Sequence, residues 1–105
     1  MLFIESNIFR RHLTNYLSEE ELRALQLFLA ENPEAGVLVR GSGGLRKLRW
    51  SAVGKGKRGG LRVIYYWQVR KSHIYLLTLY AKNEVADLSP GEVAALRKLV
   101  EVLSK

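Results

Sequence analysis

The sequence predicts an α+β domain: a small antiparallel sheet flanked by helices, with its elements in the order β-α-α-β-β-β-α. Two runs near the start and one at the end place apolar residues at helical spacing. Between them lie short runs rich in β-branched and aromatic residues. The tight turn Arg70-Lys71-Ser72 joins the last two of these runs into a hairpin. A chain of 105 residues is the size of one domain, spanning 1–105, and at 48% hydrophobic it can bury a core. No internal repeat is present.

Each element has its own justification. Residues 2–5 are short, apolar and β-compatible. Ile8, Phe9, His12, Leu13, Tyr16 and Leu17 recur at helical spacing. Ser18 opens a second helix, because Glu21 three residues later completes a capping box and Glu19 and Glu20 suit the positive end of the helix dipole. Leu22, Leu25, Phe28 and Leu29 form its buried stripe. Asn32-Pro33 ends it, since proline disfavours the α conformation in the residue before it. Residues 45–50 read as a half-basic strand. Runs 61–69 and 74–80 are apolar on both faces, which suits the middle of a sheet. Ser89-Pro90-Gly91-Glu92 is a strong helix start, and Val93, Leu96, Leu99, Val100 and Leu103 supply that helix's apolar face. Residues 40–44, Arg-Gly-Ser-Gly-Gly, read as a flexible joint, and residues 51–60 as a mobile basic loop that orders on a phosphate backbone.

Charge is sorted along the chain. Residues 35–83 hold no aspartate or glutamate but eleven bases: Arg40, Arg46, Lys47, Arg49, Lys55, Lys57, Arg58, Arg62, Arg70, Lys71 and Lys82. The remainder holds ten acids against six bases, so the net charge of +7 arises wholly in the middle. Such a field attracts a polyanion, nucleic acid above all. The absence of cysteine excludes disulfides and thiolate metal sites. The N-terminal apolar run is too short for a signal peptide and lacks a basic start. No stretch approaches the roughly 20 apolar residues of a membrane span. A cytoplasmic protein with no membrane partner is expected. Without a Gly-Lys-Ser/Thr sequence, a P-loop is excluded.

The usual catalytic groups are scarce. His12 falls on an apolar stripe and His73 beside a turn, both structural positions. Glu84 and Asp87 lie three apart after the last strand, where capping or pairing with cations is their expected role. A two-metal nuclease site has no evident ligands, and no cofactor is expected. Arginine, lysine and tyrosine suffice for one reaction, attack by the RNA 2′-hydroxyl on its own phosphodiester. Arg62 opens one strand of the hairpin and Lys82 follows the other, which brings them together at the end away from the turn. The loop carrying Lys55, Lys57 and Arg58 arrives at that same end, and Arg46, Lys47 and Arg49 come from the strand before it. Tyr80, at the strand end near Lys82, is the tyrosine placed to stack a base.

Three segments carry a resemblance: Gly-Gly-Leu-Arg-Lys-Leu-Arg (43–49), Gly-Lys-Gly-Lys-Arg-Gly-Gly-Leu-Arg-Val-Ile-Tyr-Tyr (54–66) and Tyr-Leu-Leu-Thr-Leu-Tyr-Ala-Lys-Asn-Glu (75–84). They resemble the HigB-type toxins of the RelE/ParE superfamily, over nearly the whole chain. The resemblance implies a small antiparallel sheet flanked by helices and a co-encoded antitoxin, here a HigA-type helix-turn-helix protein. It further implies a toxin that enters the ribosomal A site and cuts messenger RNA without a metal. Arg62 matches the strand arginine used on the scissile phosphate, Lys82 the basic residue after the last strand, and Lys55 and Lys57 the preceding lysines. Arg62, Lys82, Lys57 and Tyr80 thus form the expected catalytic set, with Arg46, Lys47, Arg49, Lys55 and Arg58 binding RNA or ribosome. Asn83 stands where many relatives carry arginine, and Leu88 where some carry a tyrosine base. A lysine or Tyr80 then takes the base role, or substrate and ribosome supply the proton transfers. Other readings are a ParE-like inhibitor of DNA gyrase and a non-catalytic RNA-binding module.

Overall fold

A computed structural model describes residues 1–51, 60–85 and 87–105. The elements are β1 (Leu2–Glu5), α1 (Asn7–Leu13), α2 (Glu19–Glu31), β2 (Val37–Leu38), β3 (Leu45–Trp50), β4 (Leu61–Gln68), β5 (His73–Ala81) and α3 (Pro90–Leu103). The strands form one sheet in the order β1-β5-β4-β3-β2. The predicted α+β class holds, with two refinements: an additional strand, β2, and a mixed rather than purely antiparallel sheet.

The β2–β3, β3–β4 and β4–β5 pairs are antiparallel, whereas β1 runs parallel to β5. A four-residue strand has no local partner, so tertiary contacts decide its direction. The Leu2 amide donates to the Ser72 carbonyl and the Ser6 amide to the Leu76 carbonyl, each at 3.0 Å. Ser6 also caps α1, accepting from the Phe9 amide at 2.9 Å while its hydroxyl donates to the Leu77 carbonyl at 2.7 Å. Leu77 is the extra residue of a bulge: Ile64 faces Thr78 and Tyr65 faces Leu76. The start of the first helix is thereby fixed to the irregular point of β5.

Helix α1 stops at Leu13, earlier than the apolar spacing predicts, and Tyr16 and Leu17 follow in turns whose amides bond back to the Leu13 carbonyl. Helices α2 and α3 begin with the predicted capping boxes, Ser18 with Glu21 and Ser89 with Glu92. Residues 40–44 form a structured hairpin turn rather than a flexible joint. The buried Ser42 hydroxyl donates to the Val39 carbonyl at 2.6 Å and accepts from the Leu45 amide at 3.0 Å. Gly44 adopts φ 110°, and a Cβ there would lie 2.8 Å from the Tyr66 ring. Arg97 of α3 closes over this turn, donating to the Gly43 carbonyl at 3.1 Å and lying 5.1 Å from the centre of the Tyr66 ring.

Two cores result. On one face of the sheet α1 and α2 bury Phe9, Leu25 and Leu29 against Leu48, Val63, Leu76 and Leu79. On the other, α3 sets Leu96 and Val100 on Leu45, Ile64, Tyr75 and Leu77. Among the described residues no helix is long and apolar enough to cross a membrane.

Candidate nucleic-acid interface

Strand alternation places the cations. Arg49 of β3 lies opposite Arg62 of β4, and Arg62 opposite Tyr80 of β5. The three form one row across neighbouring strands. They project on the face that α3 partly covers, because Leu48, Leu61, Val63 and Leu79 beside them in sequence point to the α1–α2 side. Two residues along β3, Lys47 shares that face, opposite Ile64. Two arginines directly opposed across a strand pair repel each other, so the row is an arrangement that stability alone does not favour.

Arg62 is 7% exposed, and its Nη1 donates to the Leu61 carbonyl at 3.3 Å. The guanidinium is therefore held in place before any anion arrives. Arg49 is exposed and its charge open to solvent. Tyr80 is 7% exposed and packs in the α3 cluster. Its ring leaves only a small area open for a base to stack on. Burial, with the negative charge of Asp87, pushes its phenol above the ordinary value of 10.0 against the opposing pull of Arg62, and Glu92 adds a smaller rise.

Lys82 is exposed directly beyond β5, two residues after Tyr80, and its amide donates to the Gly60 carbonyl at 3.3 Å. It lies at the same end of the sheet as Arg62, as the hairpin spacing predicts. The Lys47 ammonium is 3.3 Å from Asp87 Oδ1, the pairing expected of that carboxylate. The Leu88 amide also donates to Asp87 Oδ1, at 2.8 Å. That amide, then Lys47, holds the carboxyl below its ordinary 3.8. Arg46 does not join the cluster. Opposite Tyr65 on the α1–α2 side, its Nη1 donates to the Gly36 carbonyl at 2.8 Å and to that of Glu34 at 3.2 Å. Its work is to fix the connection between α2 and β2. Lys55, Lys57 and Arg58 lie outside the described residues.

The partners in two contacts here lie too far apart in the chain for sequence reasoning to name them. The Lys47–Asp87 pair spans 40 positions, and a hydrogen bond from the Tyr16 hydroxyl to Glu84 spans 68. No local pattern signals either. A groove of about 1170 Å³ runs beside the cluster between the 40–43 turn and α3, with Lys47 and Asp87 on its wall and Val37, Leu38 and Val93 along it.

The chain is a small α+β domain: a five-stranded mixed sheet with two helices on one face and a C-terminal helix on the other. The family model described as the RelE toxin of the RelE / RelB toxin–antitoxin system matches residues 7–105, and the chain belongs to that family. Membership implies an antitoxin partner. A solved structure of a mutant E. coli toxin RelE in the free state shares the fold, with a TM-score of 0.53 and 17% sequence identity, covering 81% of this chain and 86% of that one.

Proposed function

We propose that the chain is a ribosome-dependent endoribonuclease of the HigB type, a toxin that acts in the cytoplasm on translated messenger RNA and is held in check by a HigA-type antitoxin. The observation that carries this is the Arg49–Arg62–Tyr80 row with Lys82 just beyond it, a preorganised cationic end of the sheet. The RNA 2′-oxygen attacks the adjacent phosphorus, the bond to the 5′-oxygen breaks, and a 2′,3′-cyclic phosphate and a 5′-hydroxyl remain. Arg62 stabilises the charge gathering on the non-bridging oxygens, and Arg49 draws the strand in. Lys82 meets the scissile phosphate or its leaving oxygen. The base is a lysine, with Lys57 the first choice, or Tyr80, or a group of the ribosome or RNA. No metal takes part in these steps.

The test is purified protein on ribosomes programmed with a defined message. Cleavage at positions set by the ribosome, with free RNA cut poorly, is the expected result. Intact message together with inhibition of gyrase-driven supercoiling would instead establish the gyrase reading. Co-purification with the product of the adjacent gene tests the partner.

A further inference from the structure

The turn after β5 carries Lys82, and contacts from several directions hold it. The Glu84 and Val85 amides both donate to the Ala81 carbonyl, at 3.0 and 3.2 Å, which closes the turn on itself. The Lys82 amide donates to the Gly60 carbonyl at 3.3 Å, which ties it to the start of β4. Val85 packs against the α3-side core. A further contact comes from near the start of the chain: the Tyr16 hydroxyl donates to Glu84 Oε1. Tyr16 is itself anchored. Its amide donates to the Leu13 carbonyl at 3.0 Å, and its ring packs against the α1–α2 core.

Tyr16 does not reach the phosphate that Arg62 would meet. It packs on the α1–α2 side of the sheet, whereas Arg62, Arg49 and Tyr80 project on the α3 side. Its effect must pass through the turn. Glu84 is exposed, and an exposed carboxylate gains little from surface pairing unless its partner is fixed in advance. Here the partner is a phenol on a ring already ordered by packing, so little freedom is lost in making the bond. We propose that Tyr16 is a positioning residue: by holding Glu84 it fixes the turn that carries Lys82, and so sets where the Lys82 ammonium meets RNA. This rests on the ribonuclease reading and on the place of Lys82 in it. The hydrogen bond to Glu84 first, then burial, raises the Tyr16 phenol above 10.0, so the donor proton stays in place at neutral pH.

The experiment compares Tyr16→Phe, Glu84→Ala, Glu84→Gln and the double variant Tyr16→Phe/Glu84→Ala. Two readouts are taken: single-turnover cleavage of ribosome-bound message, and hydrogen exchange of the Lys82 and Glu84 amides in the free protein. Tyr16→Phe and Glu84→Ala should each slow cleavage on the order of 10-fold at unchanged ribosome affinity, since small misplacements of a catalytic group cost up to about 10²-fold. The double variant should be no slower than the worse single one, because both remove the same link. Glu84→Gln should recover most of the rate, its amide oxygen still accepting from Tyr16. Exchange at both amides should rise in Tyr16→Phe. Wild-type cleavage by folded Tyr16→Phe, or additive losses in the double variant, would overturn the proposal. If the wild-type protein cuts nothing, the ribonuclease reading fails by itself. Exchange then decides the structural link: unchanged protection at Lys82 and Glu84 in Tyr16→Phe overturns that too.

Discussion

The two faces of the sheet differ most where they lie closest. On the α1–α2 side the row Leu48–Val63–Leu79 crosses β3, β4 and β5, followed by Trp50–Leu61–Ala81, so that face is apolar to the end of the strands. One residue away on the α3 side, the row Arg49–Arg62–Tyr80 crosses the same strands and brings two cations side by side. The α3 side is not polar throughout. Towards the hairpin turn its row is Leu45–Tyr66–Tyr75, under the body of the helix. It becomes cationic at the other end, where Asp87 and the N-terminus of α3 come near Tyr80. The first face is committed to stability along its whole length. The second carries stability under the helix and charge where that cover gives out.

Substitutions one residue apart should therefore separate the two roles. The largest expected effect is on stability. Leu79 is 1% exposed, and Leu79→Ala should lower the free energy of unfolding by about 2–5 kcal/mol. Urea titration with an unchanged slope measures it, and a loss below about 1 kcal/mol would mean this face can collapse around the cavity. Arg62→Ala should do the reverse. Cleavage should fall on the order of 10²–10³-fold, the usual cost of one preorganised charge contact, and growth arrest on induction should disappear. The variant should still fold with one cooperative thermal transition, since relief of the Arg49–Arg62 repulsion offsets part of what the lost side chain contributes. Equal toxicity of folded Arg62→Ala and wild type at matched expression would remove Arg62 from the site.

How much of this comparison the sequence reveals depends on the range of the forces involved. Helix starts are local, and both capping boxes are where Ser18-Glu21 and Ser89-Glu92 put them. The hairpin is local as well, and its ends bring Arg62 beside Tyr80 as residue spacing predicts. Strand β2 is two residues long and exists only because Val37 and Leu38 pair with Lys47 and Arg46, too short a run for any periodicity. The parallel setting of β1 depends on Ser6 reaching Leu77, 71 positions away. The cationic segment is plain in composition, but which of its members cluster depends on side-chain direction. Alternation sends Arg46 to the α1–α2 side and Lys47 and Arg49 to the other, although the three are near neighbours in the chain. The burial of Tyr80 comes from packing among residues far apart in the chain, which no local pattern reports.

The smallest expected effect concerns the Lys47–Asp87 pair at the cationic end. Because the Leu88 amide and Lys47 hold the Asp87 carboxyl below 3.8 in the folded chain, its contribution is present in full above that value. It is lost as pH falls through the lowered folded value. The Asp87 side chain is 69% exposed, so solvent screens the pair and the contribution stays below about 1 kcal/mol. The stability gap between wild type and Asp87→Asn should be small and constant from neutral pH down to about pH 5, then close as the solution is acidified further. Urea midpoints taken across that range measure it, and a gap that widens towards low pH would have the sign wrong. The same variant sharpens the contrast between the faces in a second way. It frees the Lys47 ammonium and adds one positive charge to the α3 side only. RNA binding should then become steeper in its salt dependence, by roughly 0.7 in the logarithmic slope for one further phosphate contact on a single strand. An unchanged slope would place Lys47 outside the surface that RNA touches and confine the interface to Arg49, Arg62 and the residues beyond β5.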